Sequence, residues 1–550
     1  GGASENKKKV DFTFGVFLDG TLNNMYNTEV RKAAENKAQT NTSGLILSQA
    51  DANKIYQKKG DPDDMESSYE NDLSNPAILY KNYVQKTSVE NQFSIYTEGV
   101  GTNSAPKKQG ANMAKEDYKS DDLMSGPAFG MGSAGIMDGV KKAIIDAEKK
   151  IFEKLKPNEI IGTITFDVFG FSRGAASARH FVHVVTHAPY KPTVYQGKGH
   201  VSVLDLQNNH LHPSYQKKTM PAFGLLGQLL KEKDKLDPLT KVNVRFAGLY
   251  DTVPHHGLFQ WNDIKDLGLN SINKADYVVH FIAADEHRAN FSLVDISSVK
   301  KTAPDSKEKG GIERYYPGVH CDVGGAYEEG RPDNPLRIDA ADFPSSLESL
   351  RQELIKQGWF KDKEIFTKFD ITGMGAIMNI HRLEGKRARL SNQYSYIPLH
   401  HMAEICKLKN VPITKESVTE FKNFKENSKI NGITGNVAFL TRIKSILHDY
   451  TFSGGKPLEI IEPPRNKPEP SNKEKRDIHE IAKDNTRVVK EVRLDIINDE
   501  VAFNDLNKDI RFLRNHYLHW NSTYGEKGID IGVQKNYPRI LNGKRERHVR

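Results

Sequence analysis

The sequence predicts an α/β fold built on a mostly parallel sheet with helices on both faces, large insertions and a helical C-terminal extension. Three observations carry that prediction. Short runs of branched and aromatic residues, apolar on both faces, recur along the first 400 residues. Amphipathic helical stripes separate them. One Gly-x-Ser-x-Gly pentapeptide stands between such a run and a helix.

Residues 12–18, 93–97, 163–169, 242–250 and 278–284 read as strands because they are short, β-branched or aromatic, and bounded by polar or glycine-rich stretches. Between the second and third, residues 136–155 carry Ile136, Val140, Ile144, Ile151 and Leu155 on one helical stripe. Two stretches exceed what a minimal sheet needs and read as insertions. Residues 25–72 are polar and poor in strand signal; residues 189–241 mix loop with the apolar stretch 222–230, a lid that dips into a lipid surface or a buried helix, of which the short length and the lack of a basic flank on both sides favour the helix. The catalytic unit is placed at residues 11–413, a connecting region at 414–461, a proline- and lysine-rich linker at 462–475 and a helical extension at 476–550, where Ile478, Ile481, Val488, Val492, Ile496 and Val501 recur among charges.

Composition excludes several classes. In 550 residues, 79 Lys plus Arg against 71 Asp plus Glu leave a formal charge of +8, too small and too dispersed for a dedicated nucleic-acid binder. The two cysteines, Cys321 and Cys406, support neither a disulfide framework nor a zinc knuckle. No apolar run reaches the 18 or so residues that cross a bilayer, so the protein is expected to be soluble. The opening Gly1-Gly2-Ala3-Ser4, without Met, reads as a processed or engineered start.

The chemistry centres on Gly170-Phe171-Ser172-Arg173-Gly174. A strand precedes it, and Ala175, Ala176 and Ala178 follow in a helix. So sharp a strand-to-helix turn leaves no room for side chains two residues either side of the serine, which explains both glycines. It would lift the Ser172 hydroxyl out of the sheet and set the Arg173 N–H at a helix N-terminus, facing a developing oxyanion. A nucleophilic serine needs a base and an orienting carboxylate, which follow it in chain order in this arrangement. Asp251 ends the strand 242–250, and His320 ends the apolar run that enters Cys321-Asp322-Val323-Gly324-Gly325. From spacing alone the choice stays open, with His255, His256, His287 and His519 as rival bases and Asp285 and Asp322 as rival acids. The turn Asp19-Gly20-Thr21 after the first strand offers a second oxyanion donor through the Gly20 or Thr21 N–H, or else an ordinary turn in which Asp19 orients the loop or binds a cation.

Read together, residues 16–24, 96–102, 170–175, 249–253 and 317–325 occur in the order found in one α/β-hydrolase family. The chain resembles the type VI secretion system lipase effectors, antibacterial phospholipases A with a GFSRG nucleophile motif. That resemblance implies an α/β-hydrolase fold, Ser172 as nucleophile, Asp251 as acid and His320 as base. It also implies secretion into a target cell, by expectation the bacterial periplasm, with a secretion-system spike or tube protein, a cognate immunity protein and a phospholipid membrane surface as partners. Cys321 replaces the small polar residue more usual after the histidine.

Other motifs carry less. Gly130-Met131-Gly132-Ser133-Ala134-Gly135 matches a dinucleotide fingerprint, yet the residues before it are polar and form no strand, so no cofactor is expected. Asp61, Asp63, Asp64 and Glu66 are interrupted by Pro62 and lack the calcium-loop glycine, and the pairs His255-His256 and His400-His401 are adjacent, so no metal is expected. The function expected is hydrolysis of acyl esters in membrane glycerophospholipids. A serine esterase of soluble esters and a non-catalytic interaction module on the same scaffold are the alternatives.

Overall fold

The computed structural model describes residues 7–35, 48–59, 67–84, 91–102, 133–197, 199–254, 267–289, 291–341, 343–370, 380–427, 429–430, 432–463, 499–522, 540–541, 544–545 and 547. The acidic stretch 61–66, the glycine motif up to residue 132, His255, His256 and most of the linker and its helical continuation lie outside them.

In chain order the strands are β1 (Lys8–Leu18), β2 (Gln92–Thr97), β3 (Glu159–Phe171), β4 (Thr193–Gly197), β5 (His200–Leu204), β6 (His210–Leu211), β7 (Lys241–Tyr250), β8 (Tyr277–Ala283), β9 (Gly310–Tyr316), β10 (Asp333–Ala341), β11 (Ile365–Asp370), β12 (Ile380–Arg387) and a pair of two-residue strands, β13 (Ile540–Leu541) and β14 (Lys544–Arg545). Six of them form one sheet in the order β2-β1-β3-β7-β8-β9, every pair parallel. All six strands therefore point their C-terminal ends to the same edge, where an open α/β sheet places its ligand.

Alternation along these strands divides the interior in two. Phe14, Val16, Phe166, Val168, Ala247, Leu249 and Val278 pack on one face, against the helices Ser133–Lys154, Arg173–Val185 and Gly224–Glu232. Phe17, Phe169, Phe171, Phe246, Tyr250, Val279 and Phe281 pack on the other, against Tyr396–Leu408, Asn436–Ser453 and Lys508–His516. With both faces covered, the sheet strands carry almost unbroken apolar runs, which is why their positions were readable.

The small three-stranded sheet β10-β12-β11 was not anticipated, because its strands alternate apolar residues with charged ones such as Arg337, Asp339, Lys368, Arg382 and Glu384. Strand β9 was likewise missed as a strand, since Glu313 and Arg314 break its apolar run. Two regions sit differently from a connector and an appendage. Helix Asn436–Ser453 contributes Leu440, Ile443 and Leu447 to the core, and the C-terminal segment contributes Ile510, Leu513, Tyr517, Leu518 and Trp520. Within the second insertion, β4, β5 and β6 form a small antiparallel sheet, and Leu226 and Leu230 of the following helix are fully buried.

Candidate active site

The strand β3 ends at Phe171 and the helix Arg173–Val185 begins two residues later, so Ser172 alone makes the turn. It does so at φ 61° and ψ −124°, a conformation that L-residues rarely adopt. The flanking glycines allow it. A Cβ on Gly170 would lie 2.2 Å from the Gly174 carbonyl oxygen, and one on Gly174 would lie 2.2 Å from that of Leu18 and 2.4 Å from that of Asp19. The turn is tied to the next strand at both backbone atoms: Ser172 N–H donates to Tyr250 O at 3.0 Å, and Val253 N–H to Ser172 O at 3.3 Å.

Asp251 follows β7 directly, is fully buried and also takes positive φ, at 46°. Its N–H donates to Phe281 O at 2.8 Å and its Oδ1 accepts from Ala283 N–H at 3.0 Å, so β8 holds the carboxylate in place. Its Oδ2 takes a short hydrogen bond from His320 Nδ1 and an ion pair from Arg547 at 3.1 Å. Behind it, Thr252 N–H donates to His280 Nε2 at 3.1 Å, and His280 Nδ1 bonds Glu313 at 3.0 Å.

His320 opens a short helix, His320–Gly324, entered through Gly318 at φ 108°. Its ring lies 4.5 Å from that of Phe171, the residue before the serine, and 4.9 Å from that of Phe291. A Cβ on Gly324 would strike the Phe171 ring at 2.1 Å, so that glycine lets the histidine helix close on the turn. Sequence separations of 69 residues between acid and histidine thus collapse to direct contact.

Electrostatics suits a neutral base beside an ionised acid. Burial lowers the His320 pKa below the ordinary imidazole value, and the Asp251 hydrogen bond only partly offsets it. Burial by itself would raise Asp251, but Arg547 and His320 more than reverse this and hold the carboxyl below its usual range. With Nδ1 committed to Asp251, Nε2 is the nitrogen left for proton transfer.

The turn Asp19-Gly20-Thr21 lies against the serine turn, since the Arg173 guanidinium donates through Nε to Thr21 Oγ1. The Gly20 N–H is taken by its neighbour Asp19 at 2.8 Å, which leaves the Thr21 and Arg173 N–H groups as candidate oxyanion donors. Asp19 also accepts from Tyr96 at 2.5 Å, and burial pushes its carboxyl up to about 6 against these bonds. Among the described residues, no group of three or more His, Cys, Asp or Glu is disposed to hold a metal ion. Cys321 follows the histidine, and burial pushes its thiol up to about 12, which disqualifies it as a rival nucleophile at neutral pH.

Of the rival groups, His287 bonds Ser522 at 2.9 Å, His519 bonds Asp322 at 2.7 Å, and Asp285 pairs with Arg514 at 3.1 Å; none of these bonds is to Ser172. Sequence reasoning missed Arg547 and Glu286. The signal for Glu286 was its place just after strand β8, at the same sheet edge as Asp251; Arg547 stands in the basic end Lys544, Arg545, Arg547, Arg550, which by sequence reads as a solvated tail, and its buried pairing with Asp251 corrects that reading for this residue.

A model of the type VI secretion system phospholipase effector Tle1-like catalytic domain matches residues 58–344, just over half of the chain. The match spans Ser172, Asp251 and His320, and leaves out the turn at Gly20 and everything beyond residue 344. Among solved structures, one described as the Tle1 effector bound to the VgrG spike from the type 6 secretion system aligns with TM-score 0.52 at 18% identity, covering 99% of this chain and 94% of that one. An uncharacterized protein from Pseudomonas aeruginosa aligns with TM-score 0.32 at 14% identity, over 94% of this chain and 65% of that one. No curated protein gives a significant match.

Proposed function

Because the chain belongs to the Tle1-like phospholipase effector family of the type VI secretion system, we propose that it hydrolyses acyl esters of membrane glycerophospholipids through Ser172, His320 and Asp251. The observation that carries the residue assignment is the contact of His320 Nδ1 with buried Asp251, beside a serine held at positive φ on a strand-to-helix turn.

In this reading, Ser172 Oγ attacks the acyl carbonyl carbon while its proton passes to His320 Nε2. The carbonyl oxygen becomes an oxyanion held by the Arg173 and Thr21 N–H groups. The tetrahedral intermediate collapses, the glycerol C–O bond breaks, and the imidazolium returns its proton to the departing lysophospholipid oxygen. Water then attacks the acyl-enzyme and gives its proton to His320, and Ser172 leaves reprotonated with the fatty acid released. Asp251 keeps the imidazole in the tautomer with Nδ1–H and stabilises its cationic form.

Among the described residues, no helix is long and apolar enough to cross a membrane, and the lipid would be met from the surface. The solved Tle1 effector sits on a VgrG spike; a spike partner, an immunity protein and delivery to the periplasm are inferred here from family membership. Ser172→Ala should abolish both fatty-acid release from vesicles of defined phospholipids and labelling by a fluorophosphonate. Retained labelling would sink the assignment. Faster turnover of short monomeric esters than of vesicles would favour a soluble-ester substrate, and wild-type protein that folds yet never labels would favour a non-catalytic role.

A further inference from the structure

Three consecutive backbone N–H groups lead into His320, and each ends on a different carboxylate. Gly318 N–H donates to Asp285 Oδ2 at 2.7 Å, Val319 N–H to Asp322 Oδ2 at 3.0 Å, and His320 N–H to Glu286 Oε2 at 3.2 Å. Every one of these carboxylates is gripped from another side by the same downstream segment. Arg514 Nη2 pairs with Asp285 Oδ1 at 3.1 Å. His519 bonds Asp322 twice, from Nδ1 at 2.7 Å and from its backbone N–H at 3.0 Å. Asn521 Nδ2 donates to Glu286 Oε2 at 2.5 Å. Leu518 completes the contact, its Cδ2 lying 3.2 Å from where a Cβ on Gly318 would stand.

We propose that residues 514–521 form a three-point splint that positions His320, so that the catalytic centre depends on a segment nearly two hundred residues downstream and outside the matched domain. The inference rests on the proposed role of His320. Asn515 of the same segment donates elsewhere, to Glu364 at 3.2 Å, but the carboxylates held by Arg514, His519 and Asn521 lead to the three consecutive N–H groups at 318, 319 and 320. Asp322, His519 and Glu286 are almost wholly buried; Glu286 keeps Arg288, which donates from Nε at 2.9 Å and Nη2 at 3.0 Å, whereas loss of the His519 side chain leaves Asp322 Oδ1 without that bond. What the three links secure is the direction of one imidazole, and a misplacement of about 1 Å at a reacting group costs about 100-fold in rate. Arg514, His519 and Asn521 touch no reacting atom; they act through the carboxylates, as positioning residues.

The test uses the full-length protein with His519→Leu, which keeps bulk and removes the donor, His519→Asn, whose Nδ2 can donate from near the lost Nδ1, and Asn521→Ala. The end point of fluorophosphonate labelling counts folded sites, and its rate reports on His320. Per labelled site, His519→Leu and Asn521→Ala should lower kcat on a soluble ester by about 10- to 100-fold with KM within about 3-fold, and slow labelling in parallel. His519→Asn should recover to within about 5-fold of wild type. Wild-type kcat per labelled site in both damaging variants would overturn the proposal, as would His519→Asn being no better than His519→Leu. If His519→Leu does not fold, half-buried Asn521 decides alone. A wild-type protein that neither labels nor turns over would refute the proposed function instead, and so is a distinguishable failure.

Discussion

Ser172 holds φ 61° and ψ −124°, and that strain should be measurable by removing its Cβ. An L-residue in such a sparsely populated region costs about 1–3 kcal/mol, whereas glycine enters it freely. Against this, glycine loses about 0.5–1 kcal/mol more conformational entropy on folding than alanine does. Ser172→Ala and Ser172→Gly both lack the hydroxyl, so on the proposed function neither turns over and catalysis does not confound the comparison. Ser172→Ala retains the strained Cβ; Ser172→Gly releases it. The glycine variant should therefore be more stable than the alanine variant by about 0.5–2 kcal/mol. In a chain of 550 residues that is a melting shift of only about 0.4–1.7 °C, since unfolding entropy scales with length. Urea denaturation is the better assay, with equal m values as the condition for reading the midpoint difference as free energy. A glycine variant equal to the alanine variant, or weaker, would refute the claim that the turn stores strain at the nucleophile.

Gly174→Ala should lose about 1–3 kcal/mol or more, because its Cβ meets the backbone carbonyls of Leu18 and Asp19, which cannot rotate away; urea midpoints and labelling yield would show it. With His320 depressed by burial, the acid limb of kcat/KM on a soluble ester should have its midpoint below 6.5, and a midpoint above that value would contradict the neutral-base geometry. Arg547→Met removes a cation from Asp251, leaves the pair more negative and should move that acid limb upward in pH; an unmoved profile would show that Arg547 does not tune the pair. His180 and His400 are buried and pushed down to about 4 from 6.5, so between those values the unfolded chain binds protons that the folded one does not. Stability should thus fall as pH drops from about 6.5 toward 4, by up to about 3 kcal/mol for each histidine, and denaturation midpoints flat across that window would refute it.

Legibility followed the physics of each element. The sheet strands on both sides of β3 were readable because burial on two faces demands unbroken apolar runs. The strands β10, β11 and β12 were not, because Arg337, Lys368, Arg382 and Glu384 interrupt them. Helix Asn436–Ser453 had its signal in Leu440, Ile443 and Leu447 at helical spacing, but nothing in the sequence said that the stripe joins the main core. At the site, the glycines at 170 and 174 announce the sharp turn, whereas Gly20, offered as an oxyanion donor, spends its N–H on Asp19.

By itself the sequence determined the turn at Ser172, since backbone geometry over five residues is dictated by which of them carry a Cβ. It also determined a covered parallel sheet, through the periodicity of its strands. Only the tertiary structure decided which histidine meets which carboxylate, because Asp251 and His320 come together through the order of β7, β8 and β9 in the sheet and not through any local pattern. It alone brought Arg547 to Asp251 and residues 514–521 to the histidine loop. Groups that pair across some two or three hundred residues leave no periodic trace, and their partners are chosen by where the folded backbone puts them.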